Sequence, residues 1–248
     1  MSENSLEDHV TLVTGASSGI GRATAHALAE RGADVAVSAR REERLRELAD
    51  AVAAEHDAET LVAPADVSEE DEVEDLVASA VDTFGRLDVV VSNAGLGREE
   101  TVIEELETEA YRQMMDVNCD GMFFLARAAM PHLKQTEGNL IFMASMSGQY
   151  PRPASPVYAA TKWWTRGLAL SLSGSAGPEG VGVTAINPTE VLTEFGSEDG
   201  EALGEQLTPE EAATPEDVAE AVAFAAEQDA PNVVQELDFY RRDKFSDW

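Results

Sequence analysis

Along this chain, short apolar runs rich in β-branched residues alternate with longer stretches whose apolar positions recur at helical spacing. A run of about four to eight apolar residues bounded by turn formers reads as a buried strand, and the longer period as an amphipathic helix. On that basis "VTLV" (10–13) is a first strand, and "GIGRATAHALAERG" is a helix ending at Gly32. "DVAVSA" is the second strand, "RREERLRELADAVAAEH" an amphipathic helix and "TLVAPADV" the third strand. The helix "EEDEVEDLVASAVDTFG" follows, with Ser68 expected as its N-cap. "LDVVVSNAG" is a strand running into a turn. "NLIFMAS", "VGVTAIN" and "NVVQEL" are three more, separated by helices around 110–133, 156–176 and 215–228.

Strands alternating with helices predict βαβ units, hence an α/β fold with a doubly wound parallel sheet covered by helices on both faces. No Pro/Ser/Gly-rich linker, repeat or low-complexity tract divides the 248 residues, so 1–248 is expected to be a single domain. The least regular stretch, 189–213, follows the sixth strand and is expected to be a substrate-covering loop.

Charge narrows the partners. Asp and Glu number 48 against 17 Lys and Arg, a formal net charge of -31, and only Lys134, Lys162 and Lys244 are lysines. Such an excess repels nucleic acid and anionic membranes, so neither is an expected partner. The acids are spread over the whole length, as in a solvated coat suited to high salt, rather than gathered in a binding tail. The expectation is a halophile's cytoplasmic protein. Cys119 is the only cysteine, read as a small buried hydrophobe, and it excludes a disulfide framework. His9, His26, His56 and His132 lack ligand spacing, so no metal is expected. The polar, acidic start has neither a basic leader nor a long apolar segment, so export and a membrane span are not expected.

"TGASSGIG" (14–21) leaves the first strand and opens the first helix, with glycines at Gly15, Gly19 and Gly21. Glycine there allows a sharp turn and close approach of a pyrophosphate, which sits at the positive end of the helix. A glycine-rich turn without a ligand is the plainer alternative. Its position as the first βα turn of an alternating chain favours dinucleotide binding, hence a Rossmann-type domain. The end of the second strand carries Ala39 and Arg40 where an NAD site places an acid for the ribose 2′-hydroxyl. Arg44 and Arg46 suit ion pairs with neighbouring glutamates on a helix face. Arg40 and Arg41 sit at the loop edge, where a 2′-phosphate would lie. The expected cofactor is NADP rather than NAD.

"YAATKWWTRG" places Tyr158 and Lys162 four apart, on one face of a helix. A free tyrosine, with a pKa of about 10, is a poor proton carrier near neutrality. A nearby ammonium and a cationic nicotinamide ring would lower that value. Tyr158 is therefore the candidate general acid/base and Lys162 the group expected to lower its pKa. Trp163 and Trp164 turn away from that face, towards a subunit interface or ordinary core packing.

With "TGASSGIG", "NAG" (93–95) and "YAATK" in this order, the chain resembles the short-chain dehydrogenase/reductase family, short single-domain branch. The resemblance implies a catalytic tetrad completed by Ser145, thirteen residues before Tyr158, and by Asn118 of "DVN". Ser147 is the competing serine. In that setting Ser145 polarises the carbonyl, Asn118 serves the proton relay, and Lys162 also holds the nicotinamide ribose. Implied cofactor contacts are Ser17, Ser18 and Ile20 with the three glycines, Asp66 and Val67, Asn93, Ala94 and Gly95, and Pro188, Thr189 and Thr193. A homotetramer or homodimer is also implied.

Two features depart from the family pattern. Thr189 stands where glycine usually follows Pro188, and "QELDFYRRDKFSDW" replaces the usual glycine-rich ending. Between Gly167 and Tyr240 there is no lysine or arginine, and the 189–213 segment is rich in carboxylates. Such a wall disfavours acidic carrier proteins, so the expected substrate is an uncharged carbonyl compound or alcohol. The alternatives are a 3-oxoacyl-thioester reductase, an isomerase or lyase that keeps its cofactor bound, and an NADP-sensing protein without turnover.

Overall fold

The computed structural model describes residues 5–97, 103–195, 204, 207–208 and 211–246. Seven parallel strands form one sheet: β1 Val10–Thr14, β2 Asp34–Ser38, β3 Thr60–Val62, β4 Val89–Ser92, β5 Asn139–Met143, β6 Gly182–Pro188 and β7 Glu236–Phe239. Their order is β3-β2-β1-β4-β5-β6-β7. The helices are α1 Gly19–Ala29, α2 Glu42–Glu55, α3 Glu70–Phe84, α4 Thr108–Met115, α5 Gly121–Thr136, α6 Pro156–Ala176 and α7 Pro215–Ala226.

Strand side chains alternate between two buried layers, which is why the strands read as unbroken apolar runs. Val13, Val35, Val37, Val91 and Ile141 pack with Leu28 of α1, Leu45 of α2 and Val222 of α7. Leu12, Val90, Leu140 and Phe142 pack on the other face with Leu76 of α3, Leu125 of α5 and Ala169 of α6. The strand order reverses between β1 and β4. Chain leaving their carboxyl ends diverges to opposite faces and opens a crevice there.

Four elements differ from the sequence expectation. The third strand is only three residues long; beyond it Ala63 N–H still reaches Val37 O at 3.1 Å and Ala65 N–H reaches Ala39 O at 3.4 Å, a stretched continuation on either side of Pro64. Ser68 is not the N-cap of α3: Glu69 holds that place without a side-chain cap. Ser68 instead donates its N–H and hydroxyl to Asp66 Oδ1 at 3.0 and 2.7 Å, since an aspartate two residues upstream competes for it. The last strand lies later than "NVVQEL", because a turn closed by Asn232 N–H on Asp229 O takes up its start. The long helix around 110–133 is interrupted by a five-residue π turn, Asp116–Asp120. The 189–213 segment is tied at its base by a bridge between Val191 and Ala213. Of its interior, 196–203, 205–206 and 209–210 lie outside the described residues.

The turn after β1 is a tight junction. A Cβ on Gly21 would stand 2.4 Å from the Gly15 carbonyl oxygen and 2.6 Å from Asn93 Nδ2. Backbone cannot yield as a flexible side chain would, so Gly21→Ala is expected to destabilise the fold by about 1–3 kcal/mol. Urea unfolding should show a lowered midpoint with an unchanged slope.

Candidate active site

At the carboxyl end of the sheet lies a cleft of about 750 Å³. It runs from Arg40 and Asp66 past the glycine turn to Ser145, Tyr158 and Phe195. Its volume falls in the usual range of about 300–1,000 Å³ for ligand sites. Of the expected site residues, all but Gly21 and Asn118 line it.

Hydrogen bonds at the switch point set the width of the cleft. Thr14 Oγ1 accepts from the backbone N–H groups of Asn93 and Ala94 at 3.1 and 3.2 Å, and Asn93 Nδ2 donates to Thr14 O at 2.9 Å. Asn93 thus clamps the β4 loop to the β1 turn. Gly15 and Gly19 adopt φ of 66° and 52°, in the left-handed region that glycine enters freely. The N-terminus of α1 then faces the cleft, as the pyrophosphate reading requires. At the far end Arg40 Nη1 lies 4.0 Å from Asp66 Oδ2. Arg41 donates to Ser17 Oγ and Ser18 Oγ at 2.8–3.1 Å. Four spaced features therefore suit a dinucleotide: a volume, a glycine turn, a helix N-terminus and a pair of guanidinium groups.

At the opposite end, α6 carries Tyr158 and Lys162 onto the same wall, with Nζ 5.8 Å from the phenol ring centre. Ser145, at the end of β5, accepts from Ser147 N–H at 3.1 Å. Burial pushes the Tyr158 phenol up to about 12, with a hydrogen bond from Ser145 and then the Arg152 guanidinium opposing. Burial also draws the Lys162 ammonium down to about 8. Lys162 is 3% exposed and donates to Met143 O at 2.9 Å. Burial is the largest influence on both groups, and Lys162 is not among the charges that lower the phenol's pKa here. Desolvation disfavours charge on both groups, and the ammonium is directed at a backbone carbonyl.

Asn118 is buried in the π turn. Its Oδ1 accepts from Leu96 N–H at 2.8 Å, and its Nδ2 donates to Leu96 O and Thr161 Oγ1 at 2.8 and 3.1 Å. The side chain thus holds together the wall beside Lys162. A π turn commonly marks such a functional deviation in a helix.

Thr189, the departure from glycine, causes no strain, because positive φ among described non-glycine residues occurs only at Asp8 and Glu137. The unusual ending is structural. Glu236 and Asp238 of β7 accept from Asn187 Nδ2, both at 2.9 Å, and Arg166 Nε donates to Glu236 at 2.5 Å. Lys244 holds Glu190 at 2.6 and 2.8 Å. Burial would raise the Glu190 carboxyl, but Lys244 and Thr189 draw it down to about 2.

Several lining residues carried no sequence signal. Phe195 packs on the Tyr158 ring at 5.6 Å between centres. Arg152 brings a cation to the Tyr158 end of the cleft, 3.7 Å from Glu190, although the segment after Gly167 has none until Arg241. Trp163 and Trp164 are exposed, 47% and 38%, so core packing is not their role. Cys119 is buried, and burial raises its thiol to about 11. The histidines are less scattered than their spacing suggests: His26 and His56 rings meet edge-on at 5.9 Å, and His26 Nδ1 pairs with Glu55 at 3.4 Å. No described helix is long and apolar enough to cross a membrane.

Residues 9–204 match the short chain dehydrogenase family, and the chain belongs to it. An uncharacterised oxidoreductase of Staphylococcus aureus (strain USA300) is 36% identical over 224 residues, 90% of this chain and 93% of that protein. An alcohol dehydrogenase from the archaeon Thermococcus sibiricus, solved with 5-hydroxy-NADP, superposes with a TM-score of 0.86. Its identity is 32%, over 93% of this chain and 95% of that one. A 3-ketoacyl-(acyl-carrier-protein) reductase from Brucella melitensis, solved with NADH, has a TM-score of 0.85 and 30% identity, covering 95% and 98%. The protein is thus a nucleotide-binding oxidoreductase with a Rossmann-type fold.

The lysine provides a test independent of turnover. Its folded pKa of about 8 lies below the ordinary 10.5, so the unfolded chain holds the proton longer. Stability should therefore rise as pH passes upward from about 8 towards 10, before the raised Tyr158 reverses the slope. In Lys162→Met this rise should shrink, as read by urea unfolding across that window.

Proposed function

We propose that the protein is an NADP(H)-dependent oxidoreductase interconverting a carbonyl compound and a secondary alcohol. The observation that carries this reading is the convergence of Ser145, Tyr158 and Lys162 on one end of a cleft whose other end holds Arg40 and Arg41. A bound nicotinamide supplies or accepts the hydride. A phenol pushed up to about 12 is protonated at neutral pH, the state a general acid needs when the developing alkoxide takes its proton. In the oxidative direction the same oxygen serves as base, which favours alkaline conditions. Ser145, on the same wall of the cleft as the phenol, donates its hydroxyl proton to the substrate oxygen. Lys162 keeps a cation at the cleft floor for the ribose, and Asn118 positions the wall around it. Asp66 stands at the adenine end, and Thr193 near the carboxamide.

The likeness to the Brucella 3-ketoacyl-(acyl-carrier-protein) reductase supports a 3-oxoacyl-thioester reductase as the second reading. The net charge of -31 disfavours an acidic carrier and supports an uncharged substrate in a salt-rich cytoplasm. Exposed Phe123, Trp163 and Trp164 support a homodimer or homotetramer.

A panel of ketones, aldehydes, alcohols and 3-oxoacyl thioesters, assayed with NADPH and NADH in molar salt, tests the reading. Tyr158→Phe should lower kcat/KM by at least about 100-fold while NADP⁺ still binds. Undiminished turnover would overturn the mechanism, and tight NADPH binding without turnover on any compound would point to sensing. Arg40→Asp should shift preference towards NADH, and an unchanged ratio would misplace the phosphate contact.

A further inference from the structure

Three consecutive residues of the segment after β6 touch three different parts of the cleft. Thr193 lies against the glycine turn: a Cβ on Gly19 would stand 2.9 Å from its Cγ2. Phe195 packs on Tyr158. Between them Glu194 crosses to the start of α2. Its Oε2 accepts from Arg41 Nη1 at 2.9 Å and from Arg44 Nη1 at 2.7 Å, and its Oε1 accepts from Arg44 Nη1 at 2.9 Å. Arg41 is simultaneously bound to Ser17 and Ser18 of the glycine turn. A carboxylate from a segment about 150 residues away therefore sits on two guanidinium groups, those of Arg41 beside the glycine turn and Arg44 of α2.

We infer that Glu194 is a specificity-determining residue for the cofactor, an internal anion that occupies Arg41 and Arg44 when the cofactor has no 2′-phosphate. The inference rests on the dinucleotide reading above and deepens it. A 2′-phosphate is a stronger partner for guanidinium than a carboxylate, and it must compete with Glu194 for Arg41. With a 2′-hydroxyl cofactor the carboxylate stays, and the two cations are not left facing each other uncompensated. Glu194 thus narrows the preference for NADP(H) over NAD(H) that Arg40 and Arg41 would otherwise impose. Hydrogen bonding from Arg41, then Arg44, holds the Glu194 carboxyl below its ordinary range, so it is an anion throughout the neutral range. The pair is about half exposed, so its effect is modest and screened by salt.

The experiment is equilibrium titration of the full chain with NADP⁺ and with NAD⁺, followed by isothermal titration calorimetry at low and molar salt. Wild type is compared with Glu194→Gln and Glu194→Asp. Glu194→Gln should tighten NADP⁺ by roughly three- to ten-fold at low salt, leave NAD⁺ within about two-fold, and lose much of the difference in molar salt. Glu194→Asp should lie nearer wild type. Arg41→Ala in the Gln background should remove the gain, which a merely structural loop effect would not do.

An NADP⁺ affinity unchanged in Glu194→Gln, with wild type binding both dinucleotides, would overturn the inference and leave the dinucleotide reading standing. A gain that survives Arg41→Ala would also overturn it. Failure of wild type to bind either dinucleotide would overturn both.

Discussion

The site depends on a clamp between β1 and β4, where the sheet reverses its strand order. Thr14 and Asn93 hold the two loops together at 2.9–3.2 Å, and Gly21 lets α1 approach the same point without a side chain between them. The glycine turn and the loop after β4 both hang from this junction. The α1 N-terminus is fixed relative to β1, and the 94–97 segment relative to β4. Through Leu96, that segment is also tied to Asn118 and so to the π turn. One short set of backbone and side-chain hydrogen bonds thus transmits the register of the sheet to both ends of the cleft.

Desolvation governs the chemical end. The chain is strongly acidic, yet the cleft floor holds a buried lysine and a tyrosine close by, with Arg152 towards the substrate side. Burial resists charge on either group: the phenol keeps its proton and the ammonium is weakened. That combination suits a proton donor better than a preformed base. It also means that charge arriving in the cleft, rather than Lys162 alone, must shift the balance towards phenolate.

Much of this was legible from spacing. The glycine turn, the strand–helix alternation and the Tyr158–Lys162 interval are local patterns, and local patterns survive in a linear string. Helix α6 runs Pro156–Ala176, as its apolar period implies, because its proline start is a local signal too. The misreadings arose where a neighbour competed. Asp66 captured Ser68 before it could cap a helix. Phe195, Glu194 and Arg152 were invisible for another reason: each acts on a partner brought near only by the fold, and no periodicity marks such a meeting. The lack of cations after Gly167 suggested a purely acidic substrate wall, but Arg152 enters from the β5–α6 connection instead.

The segment after β6 joins these two regimes. Its base is fixed by the Val191–Ala213 bridge and by Glu190, which Lys244 anchors from the chain end. Its next residues reach the glycine turn, the arginine pair and the tyrosine ring in direct succession. Such a segment cannot shift at one contact without straining the other two, because neighbouring residues are only about 3.8 Å apart along the chain. The contact of Glu194 with the arginines and the contact of Phe195 with Tyr158 are therefore set together by one short stretch of backbone. The acidic composition gains a local meaning here: in a chain with few cations, one carboxylate of this segment, Glu194, is spent on neutralising Arg41 and Arg44 while its neighbour Phe195 packs on Tyr158.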